Sequence, residues 1–285
     1  MSWNRRLTAS CVLVMLVMLV MSAMLLMGLS ACVSSGSTTV TGLPSAANES
    51  KDRVTASDET DASKRARVRL DLASAYFGRG QMTVALDEVK MSIAADPTVA
   101  AAFNLRGLIY ASLGDENLAE ESFRRALQLS PRDADSMQNF AWYLCQQKRY
   151  SEANVLFEQA LAVPQYRDSL RTQLAQGVCL ARAGQWAQAE RVLQLAYERD
   201  PNNPSTTMNL AEVLYRRGEP DRARFYIRRV NANPDVVNAQ TLWLAARIEK
   251  KLGNTQGAVE VGEQLRNRFP QSTEARAYER SQFDD

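Results

Sequence analysis

The chain has 285 residues, with 34 basic and 32 acidic side chains, a formal charge of +2 and no histidine. The near balance of charge, spread through segments of mixed sign, argues against a nucleic-acid binder. The lack of histidine removes the commonest acid-base residue and the commonest metal ligand at once.

Residues 1–31 begin with Arg5 and Arg6 and continue as an apolar run from Cys11 to Leu29, interrupted only by Ser22 and Gly28. About 20 apolar residues can cross a bilayer, but the basic start and the small residues Ser30 and Ala31 before the break favour a secretory signal. Leu29-Ser30-Ala31-Cys32 resembles a bacterial lipobox. That resemblance implies that Cys32 is acylated and becomes the first residue of the mature chain. With Val33 rather than Asp following it, the implied address is the periplasmic face of the outer membrane. More than one acyl chain makes such an anchor stable. Residues 32–63 are rich in Ser, Thr, Asp and Glu with few large apolar side chains, a composition that cannot offset its ordering entropy, and they read as a flexible tether.

From residue 64 onward the chain repeats. Ala85, Ala119, Ala153, Ala189, Ala223 and Ala258 recur at intervals of about 34 residues, each with a turn before it and a proline about twelve after it, Pro97 to Pro270. Six units are expected over residues 64–272, at about 66–99, 100–133, 134–167, 170–203, 204–236 and 239–272. In the second unit Phe103, Gly107 and Tyr110 share one helical face, and Ala119, Phe123 and Ala126 share another. Small Gly107 and Ala119 let two helices approach closely while the aromatic residues fill the space around them. The pattern resembles the tetratricopeptide repeat, which implies an all-α fold, a right-handed α-solenoid of about six helix-turn-helix units. The sixth unit departs most, with Glu249 where a large apolar residue is usual and Gly262 where an aromatic is usual. A single unit cannot bury its own apolar face, so the stack is the folding unit. Residues 273–285 are polar enough to form a short capping helix or a frayed end.

No nucleophile, metal-ligand or phosphate-loop signature is found, and carboxylates such as Asp87, Glu120 and Glu121 lie beside Arg and Lys on helical faces. The expectation is a non-catalytic scaffold without cofactor or metal, apart from lipid on Cys32. Cys145 and Cys179 are 34 residues apart, one period, on the first helices of adjacent units. They suit either a disulfide in an oxidising compartment or a pair of small buried thiols. Trp142 falls on a groove-facing position of its repeat, flanked by Gln138 and Gln146, an apolar anchor rimmed by amides that suits a peptide contact. The six arginines between Arg216 and Arg229 suit a solvated helix surface, an acidic partner or lipid headgroups.

The order of lipobox, tether and six repeats, with "NFAWYLCQQKRYSEANVLFEQALAVPQY" in the third and "AQGVCLARAGQWAQAE" in the fourth, is similar to the type IV pilus biogenesis lipoproteins of the PilF/PilW type. That resemblance implies a monomeric pilotin that binds the secretin subunit and promotes its localisation and multimerisation in the outer membrane. It also implies that Cys145 and Cys179 are bridged. Phe77, Phe103 and Tyr110 in the first repeats, and the aromatic third repeat, are the candidate contacts. A lipidated adaptor for peptidoglycan enzymes or envelope assembly is the alternative.

Overall fold

A computed structural model describes residues 60–283, so the leader, Cys32 and residues 33–59 of the tether lie outside the described residues. Among the described residues there are thirteen α-helices and no strand. They pair as α1 (Asp61–Gly78) with α2 (Met82–Ala95), α3 (Ala100–Leu113) with α4 (Glu116–Leu129), and α5 (Ala134–Gln146) with α6 (Tyr150–Leu161). The series continues with α7 (Ser169–Arg182) and α8 (Trp186–Arg199), α9 (Pro204–Arg216) and α10 (Pro220–Asn231), α11 (Ala239–Lys251) and α12 (Thr255–Arg268), and ends in α13 (Thr273–Glu279).

The fold begins three residues earlier than residue 64. Thr60 caps α1 by accepting a hydrogen bond from the Ser63 amide, and the Ser63 hydroxyl donates to Asp96 at the end of α2. A capped end satisfies an otherwise orphaned amide, so the last residues read as tether belong to the first repeat. Five of the six turns inside the pairs place a glycine five residues before the repeat alanine, and Gly114, at φ +85°, shows why: the chain there is left-handed, where a Cβ is penalised. The third turn holds Lys148 at φ +61° instead, at a local cost of about 1 kcal/mol.

Within each of the first five pairs a small residue on the first helix lies under a larger one on the second. A Cβ on Gly107 would sit 2.8 Å from the Phe123 ring, and one on Gly177 would run into Leu193. Ala141 and Ala211 take the same place over Phe157 and Ile227, and all four are essentially closed to solvent. The two departures in the sixth pair have a structural reason. Gly262 carries no aromatic side chain because the space above it is filled from outside the pair: Tyr278 of α13 packs against it, and Tyr278 and Phe283 close the end of the array over Trp243. The residues after 272 are therefore a cap.

Curvature follows from which helices meet. Each first helix touches the first helix of the next pair, whereas no second helix touches another second helix among the described residues. The first helices therefore line the inside of the curve and the second helices its outside.

Candidate binding groove

The inner face can be read residue by residue from the small residue of each first helix. With 3.6 residues per turn, positions six and three before it, and one, four and five after it, fall on a common face. Contacts between neighbouring first helices occur on this face: the Arg182 guanidinium lies 4.9 Å over the Trp142 ring, and Arg247 lies 5.1 Å over Tyr215 and 2.9 Å from Glu212. Below it, Asn139 donates to Asn104 at 3.3 Å and Gln176 donates to Asn154 at 2.9 Å, tying the second pair to the third and the third to the fourth.

Of the candidates taken from the sequence, Trp142 is half-buried on this face, Gln146 is exposed beside it, and Phe77 is half-buried in the first pair. The other three need correction as accessible contacts. Phe103 and Tyr110 are 7% and 8% exposed, because four before and three after Gly107 is the side turned into the packed interior. Phe103 is further covered by the guanidinium groups of Arg106 and Arg125, and Tyr110 packs with Phe123 in the core. Gln138 is 7% exposed rather than part of an open rim, and its Oε1 accepts no hydrogen bond. Arg182, Asn104 and Tyr215 were missed, although their register relative to Gly177, Gly107 and Ala211 is visible in the repeat.

Cys145 and Cys179 are joined as a disulfide, with Cα atoms 5.8 Å apart and both side chains buried. The bridge links α5 to α7 beside Trp142 and so holds together the two helices that carry Trp142 and Arg182.

The arginine-rich stretch serves the fold. Arg217 and Arg222 converge on Glu190 of the preceding pair, Arg216 pairs with Glu212 at 2.8 Å, and Arg228 pairs with Glu249 of the following pair at 2.8 Å. Arg229 lies over the Tyr197 ring. The acid at position 249 is thus the partner of basic side chains on α10. Burial pushes the Glu249 carboxyl up, but hydrogen bonds from Asn254 and Arg228, with the charges of Arg228 and Arg224, outweigh it and hold the group below the usual glutamate range. Because the folded value is depressed, its stabilisation is present above the unfolded value of about 4.5 and is lost as pH falls through the folded one. Glu249→Gln is expected to melt at lower temperature than the wild type at neutral pH, with the gap closing as the pH is lowered through the acid range. A gap independent of pH would show that the carboxylate charge is not what matters there.

In the third pair, Arg149 donates to Glu152 and Glu120, and its hydrogen bonds hold the Glu120 carboxyl low and raise the guanidinium further. Among the described residues, no cluster of three or more His, Cys, Asp or Glu could hold a metal ion.

Paired helices with a small residue packed under a large one, stacked six deep around an inner groove, define a tetratricopeptide-repeat protein. The profile of the tetratricopeptide repeat family matches residues 98–165, 139–204, 180–242 and 240–272. The solved structure of PilW, a widely conserved type IV pilus biogenesis factor, is 31% identical, superposes with a TM-score of 0.70, and is matched over 75% of this chain and 97% of its own. The chain belongs to the PilF/PilW family of type IV pilus biogenesis proteins. The type IV pilus assembly protein PilF of Pseudomonas aeruginosa is 26% identical over 256 residues, spanning 90% of this chain and 95% of that protein. A solved structure of Pseudomonas aeruginosa PilF superposes with a TM-score of 0.69 at 25% identity, covering 78% of this chain and all of that one.

Proposed function

We propose that the chain is an outer-membrane lipoprotein that binds the secretin subunit of a type IV pilus and promotes its localisation and multimerisation. The observation that carries this reading is the match to PilF over 90% of the chain, joined to the lipobox that ends at Cys32. Lipid on Cys32 supplies the membrane address, residues 33–59 supply reach, and the repeat array supplies a surface for a partner protein. Nothing in this scheme needs bond-making chemistry.

Two measurements test it. Deleting the protein should abolish or sharply reduce the secretin oligomers seen on unheated gels, and normal oligomers in the outer membrane would remove the proposal. Cys32→Ala should leave helicity and melting unchanged while the protein leaves the outer-membrane fraction and secretin assembly becomes inefficient or misplaced. Unchanged fractionation would show that the lipid is not the address. Recovery of peptidoglycan synthases or hydrolases with the wild-type protein, in place of secretin, would favour the adaptor reading instead.

A further inference from the structure

We infer that the inner face between the third and fourth pairs binds an extended acidic segment of a partner protein, seating an apolar side chain on Trp142 and a carboxylate on Arg182. The inference rests on the reading of the chain as a scaffold for another protein. It adds where that protein is held and by what chemistry.

Charge makes the first argument. From the fourth pair to the sixth, the inner-face positions carry Arg171, Arg182, Arg216 and Lys250 against Glu212 and Glu249. Arg171 pairs with Asp135 and Asp168, Arg216 with Glu212, and Glu249 with Arg228, so the charges left without a carboxylate on this face among the described residues, Arg182 and Lys250, are both basic. A groove lined by one sign of charge attracts the opposite sign.

Arg182 is the most telling of these. It ends α7, is exposed, and meets no carboxylate within ion-pair distance among the described residues; its guanidinium rests on the Trp142 ring at 4.9 Å. A guanidinium over an indole still has donors to offer a carboxylate, which it can take in two parallel hydrogen bonds. The half-buried indole beside it offers an apolar seat, and Trp and Arg are among the residue types enriched where binding energy concentrates at protein contacts.

One helical turn before Trp142, on the same face of α5, Gln138 is more than nine-tenths buried, so the seat is bounded there by closed packing. The Cys145–Cys179 bridge fixes the helices carrying Gln138, Trp142 and Arg182 relative to one another, which lowers the ordering cost of capturing an extended segment.

The test uses the full chain purified in detergent and two fluorescein-labelled peptides, one of alternating valine and glutamate and one of alternating valine and lysine, followed by anisotropy. The glutamate peptide should bind the wild type and the lysine peptide should not. Arg182→Glu, an exposed change expected to leave melting unaltered, should weaken the glutamate peptide about tenfold or more and bring the lysine peptide into measurable binding. Trp142→Ala should weaken the glutamate peptide without admitting the lysine one. Failure of the glutamate peptide to bind the wild type, equal binding of both peptides, or unchanged affinity in Arg182→Glu would each overturn the inference. In cells the two readings separate. Secretin oligomers lost on deletion but kept by Arg182→Glu, with unaltered peptide affinity, would remove the groove and leave the scaffold role. A full swap of peptide preference with normal oligomers after deletion would do the reverse.

Discussion

Phe123→Ala is expected to lower stability by about 3–5 kcal/mol, the largest loss foreseen for a single truncation in this chain. The Phe123 side chain is fully buried, sits directly on Gly107 of its own pair, and stacks on Phe140 of the next pair at 5.4 Å with Tyr143 at 5.6 Å. One side chain therefore supplies both the packing within the second pair and the seam to the third. In a stacked array stability is close to a sum of unit terms and neighbour terms, and this change weakens one of each. The first two pairs should uncouple, so urea unfolding followed by far-ultraviolet circular dichroism should show a lower midpoint and a shallower or two-step transition. Leu195→Ala is the control, since Leu195 is 53% exposed and its loss should cost little. A Phe123→Ala protein that unfolds in one step at the wild-type midpoint would mean that the array is not held together at this seam.

Breaking the Cys145–Cys179 bridge should cost about 3–4 kcal/mol, the chain-entropy value for closing a loop of this length, with the cysteines 34 residues apart. Both side chains are buried, so Cys145→Ala with Cys179→Ala removes the cross-link while leaving only small gaps. The wild type should lose melting temperature on adding reductant, and the double variant should begin at the lower value and ignore reductant. Because the bridge joins neighbouring first helices, its loss should also loosen the inner face near Trp142, and amide exchange in α5 and α7 should rise. A wild type whose melting is indifferent to reductant, with two titratable thiols after unfolding in the absence of reductant, would show that the cysteines are not bridged in the isolated protein.

Much of this arrangement was legible beforehand, for a specific reason. A repeat places the same physical demand on the chain every 34 residues or so, and each demand leaves a residue type behind. Gly114 marks a left-handed turn and Ala119 a close approach, and the helices α3, α5, α9 and α11 start at residues 100, 134, 204 and 239, where the repeat places the second, third, fifth and sixth units. The sites where the pattern fails were harder. Glu249 and Gly262 look like decay of the sixth unit when read against the repeat, yet each is complementary to something outside it: the arginines of α10 for one, Tyr278 of the cap for the other. Complementarity between units has no period, so a periodic reading registers it only as an exception.

The same division applies to the candidate site. Trp142 can be placed on the groove side by counting, because helical register is a local property. Whether a residue so placed is open to a partner is not local. Phe103, Tyr110 and Gln138 are covered by side chains from their own and neighbouring helices, and Arg182 enters the site only because α7 lies alongside α5. By itself, then, the sequence determined the helical class, the number of units, the turns, the core positions, and the expectation that Cys32 carries lipid. The tertiary structure decided which side chains remain on the inner face, which arginines are already paired and where the array is capped. Local preferences are set within a helix turn, whereas burial and charge pairing depend on which distant segments the stacked fold brings together.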